Sequence, residues 1–443
     1  MTHYAIIGTG VAAIGAAEAI RSVDTAGEIS FIGEDPFSYY SRPGLAYYLT
    51  GELDENLLFP YQKEDYQKLR AHFHRASVRR ILPDEKTVEL DTSARLPYDR
   101  LLVATGAQAI ALKIPGADLN GVHKLDHLSD ARALLANAKR GRTALVTGGG
   151  ITALELAEGL AARGVKVHYI MRGERYWPNV LDEIESRIIE SLLAREGIHL
   201  YHKNEVIEIL GKNGKVVGAR LADGRNLRAD LIAYAIGIAP RIDLAQEAGI
   251  ACERGILVDQ SMQTNLPDIF SAGDVAQVYD PVSGKHVLDS LWAPAREQGR
   301  IAGLNMAGQS TAYQKPAAFN VTRLAGLTTT IIGAVGGGRD DDLEGIARGD
   351  SETWRQLPDA IVAQGGFEVN RLRLMVGQKY ILGAIVMGDQ KLSSPLQTIV
   401  RQKVDITSIR HALLVPHAPI ADILAEFWGK NHALQSLQAL GET

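Results

Sequence analysis

The chain has 443 residues, 46% of them hydrophobic and 22% charged, with a formal net charge of −5 and a pI near 6.2. That length exceeds one ordinary hydrophobic core and implies two or three domains. The mildly acidic balance argues against a nucleic-acid binder, and no run of roughly 18 uncharged apolar residues suggests a membrane span. The chain opens MTHYAIIGTG, and a strand pattern that begins at once leaves no room for a secretory signal. The single cysteine, Cys252, cannot form an internal disulfide, which fits a reducing, cytoplasmic setting.

Residues 4–7 are an apolar run of strand length. They enter a G-x-G-x-x-A turn built on Gly8, Gly10 and Ala13, and an Ala-rich helical pattern follows over 14–21. A second apolar strand is expected at 29–32, with Glu34 just past its end. Residues 101–107 read as a buried strand entering a turn at Thr105 and Gly106. The opening design then recurs. A strand begins at 144, Gly148, Gly150 and Ala153 repeat the G-x-G-x-x-A frame, a helix is expected over 154–163, and a strand over 165–170. A further apolar strand, 231–236, leaves through Gly237 and Pro240. Another, from 268, ends on Gly273 and Asp274, and a helix is expected over 296–306. Beyond about Gln314, strand-like runs at 327–332, 371–376 and 380–387 precede helical stretches. Between them, 336–342 and 344–352 read as a solvated, acidic loop.

One G-x-G-x-x-A turn is weak evidence, but two copies, each between a strand and a helix, mark two βαβ dinucleotide-binding units. The first glycine permits the tight turn off the strand. The second lets the backbone approach a pyrophosphate, and the small third residue packs helix on strand. The helix N-terminus then offers free N–H groups and a partial positive charge to the phosphates. Glu34 follows Gly8 by about 26 residues, near the spacing from which an acid bonds an adenosine ribose. Because 101–107 and the strand from 268 return to the first unit, the second unit is inserted in it. The expected fold is α/β, with two Rossmann-type domains, 1–115 with 240–315 and 116–239, and a C-terminal α+β domain, 316–443.

Taken together, the two G-x-G-x-x-A turns, the A-T-G-A turn at Thr105 and the I-F-S-A-G-D segment ending at Asp274 resemble the pyridine-nucleotide-dependent flavoprotein reductases. This is the superfamily of glutathione reductase and NADH oxidase, and the likeness covers about residues 1–310. The segment from Tyr39 through Arg42, Pro43 and Gly44 to Glu52 looks most like the branch with rubredoxin reductase, oxygenase-coupled ferredoxin reductases and the FAD domain of assimilatory nitrite reductase. Residues 382–389 resemble the C-terminal domain of that branch. The resemblance implies an FAD-dependent NAD(P)H oxidoreductase that passes electrons through flavin to a rubredoxin- or ferredoxin-type carrier or a partner subunit. An NAD(P)H oxidase or diaphorase using O₂ or a quinone, and a non-enzymatic redox-sensing flavoprotein, stay open as alternatives. A homodimer is compatible with each.

By the same resemblance, Gly8, Gly10 and Ala13 cradle the FAD pyrophosphate, Glu34 takes the ribose, and Arg42 and Pro43 lie in the flavin loop. Thr105 and Gly106 pass beside the flavin, and Gly273 and Asp274 meet its ribityl–phosphate part. Glu297 and Gln298 open the helix 296–306 toward the flavin pyrimidine. Gly148, Gly150 and Ala153 serve the nicotinamide dinucleotide, with Glu155 near the nicotinamide–flavin stack, and Gly237 is a further cofactor-binding residue. NAD-preferring relatives carry an acid where Met171 stands. Arg172 and Arg175 follow instead, and a guanidinium pairs with a 2′-phosphate, so NADPH is favoured over NADH.

Disulfide reductases of the superfamily place two cysteines beside the flavin, and the peroxidase, water-forming oxidase and coenzyme A disulfide reductase branches one. The corresponding stretch, 41–48, has none, and Pro43 stands about where the single cysteine would be. Cys252 lies in a different segment and is expected to pack. Thiol–disulfide chemistry is therefore closed, and the flavin must pass electrons directly to an acceptor. Tyr47, where several ferredoxin reductases carry a lysine, and Glu155 are the candidate catalytic side chains. His411 and His417 read as structural, and the histidines show no metal-ligand spacing.

Overall fold

The computed structural model describes residues 1–281, 283–336, 342–353 and 368–441. The chain divides into two compact units, 1–170 with 204–315 and 171–203 with 316–443. In chain order the first unit opens with β1 (His3–Ile7), α1 (Val11–Val23), β2 (Glu28–Gly33), α2 (Gly44–Thr50), β3 (Ala71–Arg75), β4 (Arg100–Val103) and β5 (Ala107–Ala109). It continues through β6 (Val122–Lys124), α3 (Leu128–Asn137), β7 (Thr143–Thr147), α4 (Ile151–Ala162) and β8 (Lys166–Ile170). The chain then supplies α5 (Glu183–Arg195) to the second unit. It returns to the first with β9 (Leu231–Tyr234), β10 (Ile238–Pro240), β11 (Ile269–Ser271) and α6 (Trp292–Met306).

The first unit holds two parallel sheets. One runs β11-β4-β1-β2-β3, and the other carries β8-β7-β9-β6. In each, the strand that opens the repeat lies between the strand reached through its own helix and a strand from later in the chain. Strands buried on both faces need apolar residues at successive positions rather than alternate ones. Ala5, Ile6, Leu101, Leu102, Leu145, Val146 and Ile232 are accordingly inaccessible to solvent. The expected α/β class with duplicated Rossmann-type units is thus what the chain adopts. A short antiparallel ribbon, β5 with β10, joins the exits of the two sheets, with Ala107 opposite Pro240.

Close helix packing sets the shape around the first sheet. A Cβ placed on Gly299 of α6 would stand 2.0 Å from the Ala12 carbonyl oxygen of α1, and one on Gly303 2.3 Å from that of Ala16. The helix begins at Trp292 rather than at 296 as the sequence suggests. Pro294 is tolerated because the first turn has no intrahelical partner for its N–H. Glu297 and Gln298 therefore sit in the second turn of α6. Elsewhere, α2 and α4 are tied by Arg163, whose guanidinium donates to the carbonyls of Leu49 (2.9 Å) and Tyr48 (3.1 Å) at the end of α2.

The second unit is α+β. Its antiparallel sheet runs β12 (Phe319–Leu324), β13 (Leu327–Gly333), then β16 (Ile381–Met387), β15 (Arg371–Gly377) and β14 (Leu343–Gly349). Leu372, Leu374, Val386, Leu396, Ile399 and Leu424 form its core. Strand β14 takes up residues 344–349 of the solvated loop expected from the acidic sequence. Among the described residues it is an edge strand, paired only with β15, and Ala347 is its one buried residue. Edge pairing tolerates polar residues, so its composition concealed it. Residues 337–341 of the same expected loop lie outside the described residues. Helix α5 belongs here through charge: Arg373 donates to the fully buried Glu185 at 2.9 Å and to the Val180 carbonyl at 2.6 Å. Arg371 and Arg348 reach Asp182, the N-cap of α5, at 3.1 and 2.9 Å. No described helix is long and apolar enough to cross a membrane.

Candidate functional site: two glycine cradles

At the end of β1 the chain turns at Gly8, whose φ is +122°. A Cβ there would lie 2.2 Å from the Ala104 carbonyl oxygen. The second repeat copies this: Gly148 has φ +148°, and its Cβ would lie 2.2 Å from the Ala235 oxygen. The first glycine of each turn is therefore demanded by the protein's own backbone. Ala13 and Ala153, both fully buried, seat the helices behind the turns.

The second glycines follow a different logic. Gly10 (φ −79°, ψ −174°) and Gly150 (φ −109°, ψ −171°) are extended, a conformation open to any residue. A Cβ on either would meet nothing within 4 Å. Each is the N-cap of its helix, and neither helix start receives a side-chain cap. Helix α5 shows the contrast, since its Asp182 accepts the Glu185 N–H at 2.9 Å. Two helices thus begin with uncapped N–H groups facing open space, the arrangement that accommodates a pyrophosphate.

A cavity of about 450 Å³ lies over the first cradle, lined by Gly8, Gly10, Glu34, Arg42, Thr105, Gly106, Gly273 and Asp274. Eight of the residues expected to hold FAD, drawn from distant parts of the chain, therefore meet in one place. Glu34 is mostly exposed and accepts the Ser77 hydroxyl at 2.9 Å. Burial pushes the Asp274 carboxyl above its ordinary range, and Arg42 partly offsets that. The other expected FAD residues do not line the cavity. Gln298 is buried and accepts the Gly273 N–H at 2.9 Å, so it holds the turn that carries Asp274. Glu297 turns outward and pairs with Arg300 at 2.7 Å. Pro43 and Tyr47 are exposed at α2.

Asp35, His127 and Arg241 also line the cavity and escaped the sequence reading. His127 and its neighbour Asp126 are set by the α3 start, where Asp130 accepts both of their N–H groups at 3.0 Å. Asp126 is buried within 3.5 Å of Arg42 and 3.2 Å of Lys124. Desolvation would raise its carboxyl, but His127, the Ala109 N–H and the cations outweigh it and hold it below the ordinary range. The one hint in the sequence was position: Arg241 immediately follows the Gly237–Pro240 exit, where the chain crosses back beside Gly106.

At the second cradle, the Glu155 carboxyl lies on α4 with no hydrogen bond or ion pair among the described residues, and burial pushes it up to about 7. Gly237 has φ +121° and accepts the Ile110 N–H at 3.0 Å. Arg172 and Arg175 fall in the second unit. Arg172 is exposed. Arg175 donates to the Pro178 carbonyl at 3.4 Å, and its buried Nε has no partner among the described residues. Met171 is buried. Cys252 is half-buried with its Sγ 3.4 Å from the Ile250 carbonyl, burial pushes the thiol up, and it does not line the cavity.

Duplicated parallel βαβ units with matched glycine cradles define the class, a Rossmann-type two-dinucleotide architecture. The chain belongs to the pyridine nucleotide-disulphide oxidoreductase family, whose model matches residues 2–299. It is 32% identical over 362 residues to the ferredoxin–NAD(+) reductase component of the biphenyl dioxygenase system of Paraburkholderia xenovorans, covering 80% of this chain and 85% of that one. It is 29% identical over 407 residues to the nitrite reductase [NAD(P)H] of Bacillus subtilis, covering 91% of this chain. The chain spans about half, 47%, of that relative's length. The reductase in the covalent putidaredoxin reductase–putidaredoxin complex shares the fold, with TM-score 0.83 and 21% identity over 96% of this chain and 98% of that one.

Proposed function

We propose that the chain is an FAD-dependent NAD(P)H oxidoreductase that delivers electrons to a small electron-carrier protein or a partner subunit. One observation carries the reading. In each repeat the second glycine, Gly10 or Gly150, has no conformational need to be glycine, yet opens an uncapped helix start onto free space. FAD belongs at the first cradle, whose cavity runs on past Thr105, Gly106 and Asp274, and the nicotinamide dinucleotide at the second. Residues 1–115 with 240–315, 116–239 and 316–443 are the corresponding functional parts. When bound, the flavin supplies hydride acceptance and one-electron release.

The side chains position, insulate and hold protons. Gln298 fixes the turn of Asp274, and the small faces of α1 and α6 bring that turn against the first cradle. Glu155 keeps its proton on the carboxyl up to about pH 7, so α4 presents a neutral group rather than a second anion beside a dinucleotide. No cysteine stands at 41–48, so no thiol relay intervenes. The relative named a ferredoxin–NAD(+) reductase supports an acceptor that is a redox protein, and the nitrite reductase, about twice as long as this chain, one that is a further domain. Arg172 and Arg175, cations that follow β8 directly in sequence, support NADPH over NADH.

Purified protein loaded with FAD tests this. It should be yellow, carry one FAD per chain, be reduced anaerobically by NADPH faster than by NADH, and reoxidise fastest with an iron–sulfur or rubredoxin-type acceptor. Faster turnover with O₂ than with any carrier would support the oxidase reading instead. A colourless protein that takes up no FAD would defeat the proposal.

A further inference from the structure

We propose that Arg241 is a cofactor-binding residue of this chain, its guanidinium joining Arg42 to neutralise the FAD pyrophosphate at the first cradle. This rests on the FAD assignment above and adds a residue to it. The backbone of Arg241 is fixed: its N–H donates to the Gly106 carbonyl at 3.0 Å, and its own carbonyl accepts the Thr105 hydroxyl at 3.0 Å. The side chain is therefore launched from the flavin-side turn into the cavity that contains Gly8 and Gly10.

Its head group is poorly satisfied there. Nε is buried and has no partner among the described residues. Nη1 is 3.4 Å from Glu34, and Nη2 is 3.9 Å from Asp126. Both are long beside the roughly 2.7–2.9 Å of a charge-assisted N–H···O bond. Only the approach of Nη2 to His127 Nε2, 3.1 Å, has ordinary length. A buried donor without a partner is rare in folded proteins and asks for one.

The charge balance says which partner. Four carboxyl groups, Glu34, Asp35, Asp243 and Asp274, line the cavity with two permanent cations, Arg42 and Arg241. A diphosphate entering past those acids gains at the uncapped start of α1 and where the guanidiniums meet it. The planar fork of arginine pairs with phosphate oxygens in a bidentate way that the surrounding acids, spaced at 3.4 Å and beyond, do not provide. Asp126, within reach of both arginines, holds them near the site without bonding either at short range.

The test is equilibrium titration of apo-protein by flavin fluorescence, on wild type, R241Q and R241K. R241Q should weaken FAD about 10- to 100-fold, the loss expected for a charged hydrogen-bonding group. ADP, used as a competitor, should weaken in parallel. Riboflavin, which has no phosphate, should bind wild type and variant alike. R241K should lose less than R241Q, because it keeps the charge and lacks the fork, and it carries the test if R241Q fails to fold. Equal FAD affinity in variants and wild type would overturn the proposal. So would an equal loss of riboflavin, which would make Arg241 a tie in the cavity wall. A wild type that binds no FAD would overturn the flavoprotein reading and this inference with it, which separates the two failures.

Discussion

Two glycines two residues apart have opposite reasons to exist, and substitution separates them. Gly8→Ala puts a Cβ 2.2 Å from a backbone oxygen at φ +122°, so the apo-protein itself should lose stability, by more than about 1 kcal/mol. Gly10→Val has room and an allowed conformation. It should cost the apo fold no more than about 1 kcal/mol, the scale of a weakened N-cap, while FAD uptake is lost. Denaturant titration of the apo-proteins beside flavin absorbance distinguishes them; a Gly10→Val protein that stays yellow would mean the open space is not the cofactor's. Glu155 makes a pH prediction. Its folded pKa, about 7, lies above its unfolded value, so the native state retains a proton that the unfolded chain releases. Its contribution to stability should be fullest below about pH 4.5, fall as pH rises to about 7, and level off above. Glu155→Gln should remove that slope and stabilise the apo-protein at pH 8 by on the order of 1–3 kcal/mol, with little difference near pH 4. A parallel pair of stability–pH curves would refute it.

Among the elements, the α1–α6 contact sets how precisely the first cradle is built. Gly→Ala inside a helix ordinarily stabilises by about 1 kcal/mol. At Gly299 the added carbon would meet the Ala12 carbonyl at 2.0 Å, so the helices must part. Gly299→Ala should therefore destabilise by about 1–3 kcal/mol and weaken FAD binding, because Gln298 would draw away from the Gly273 N–H. A lower urea midpoint at unchanged m-value is the expected result; stabilisation would show that the contact is looser than it stands. Elements whose burial matched a simple period were legible in advance: the βαβ repeats, and strands β13, β15 and β16. The start of α6 was not, because Pro294 reads as a stop although a first turn accepts it. Strand β14 was not, because an edge strand needs little apolar sequence.

At the scale of the whole molecule, the chain groups 171–203 with 316–443, and a buried ion pair joins the two stretches. Arg373→Met leaves the fully buried Glu185 with only the longer Arg371 contact at 3.8 Å and the Asp182 N–H at 2.8 Å, so it should cost the second unit about 3 kcal/mol. Adding Glu185→Gln should recover part of that loss. Urea unfolding of the single and double variants measures both, and a single variant as stable as wild type would contradict it. The sequence alone determined the duplicated cradle, the α/β class and the family, because turn chemistry and buried-strand patterning are local and repeat along the chain. Tertiary structure alone decided that Gln298 holds a turn instead of facing the cavity, that Glu297 faces outward, and that Arg241, Asp126 and His127 gather at the first cradle. Those placements depend on helix start, crossover geometry and charge pairing between residues far apart in sequence, none of which has a local period to read.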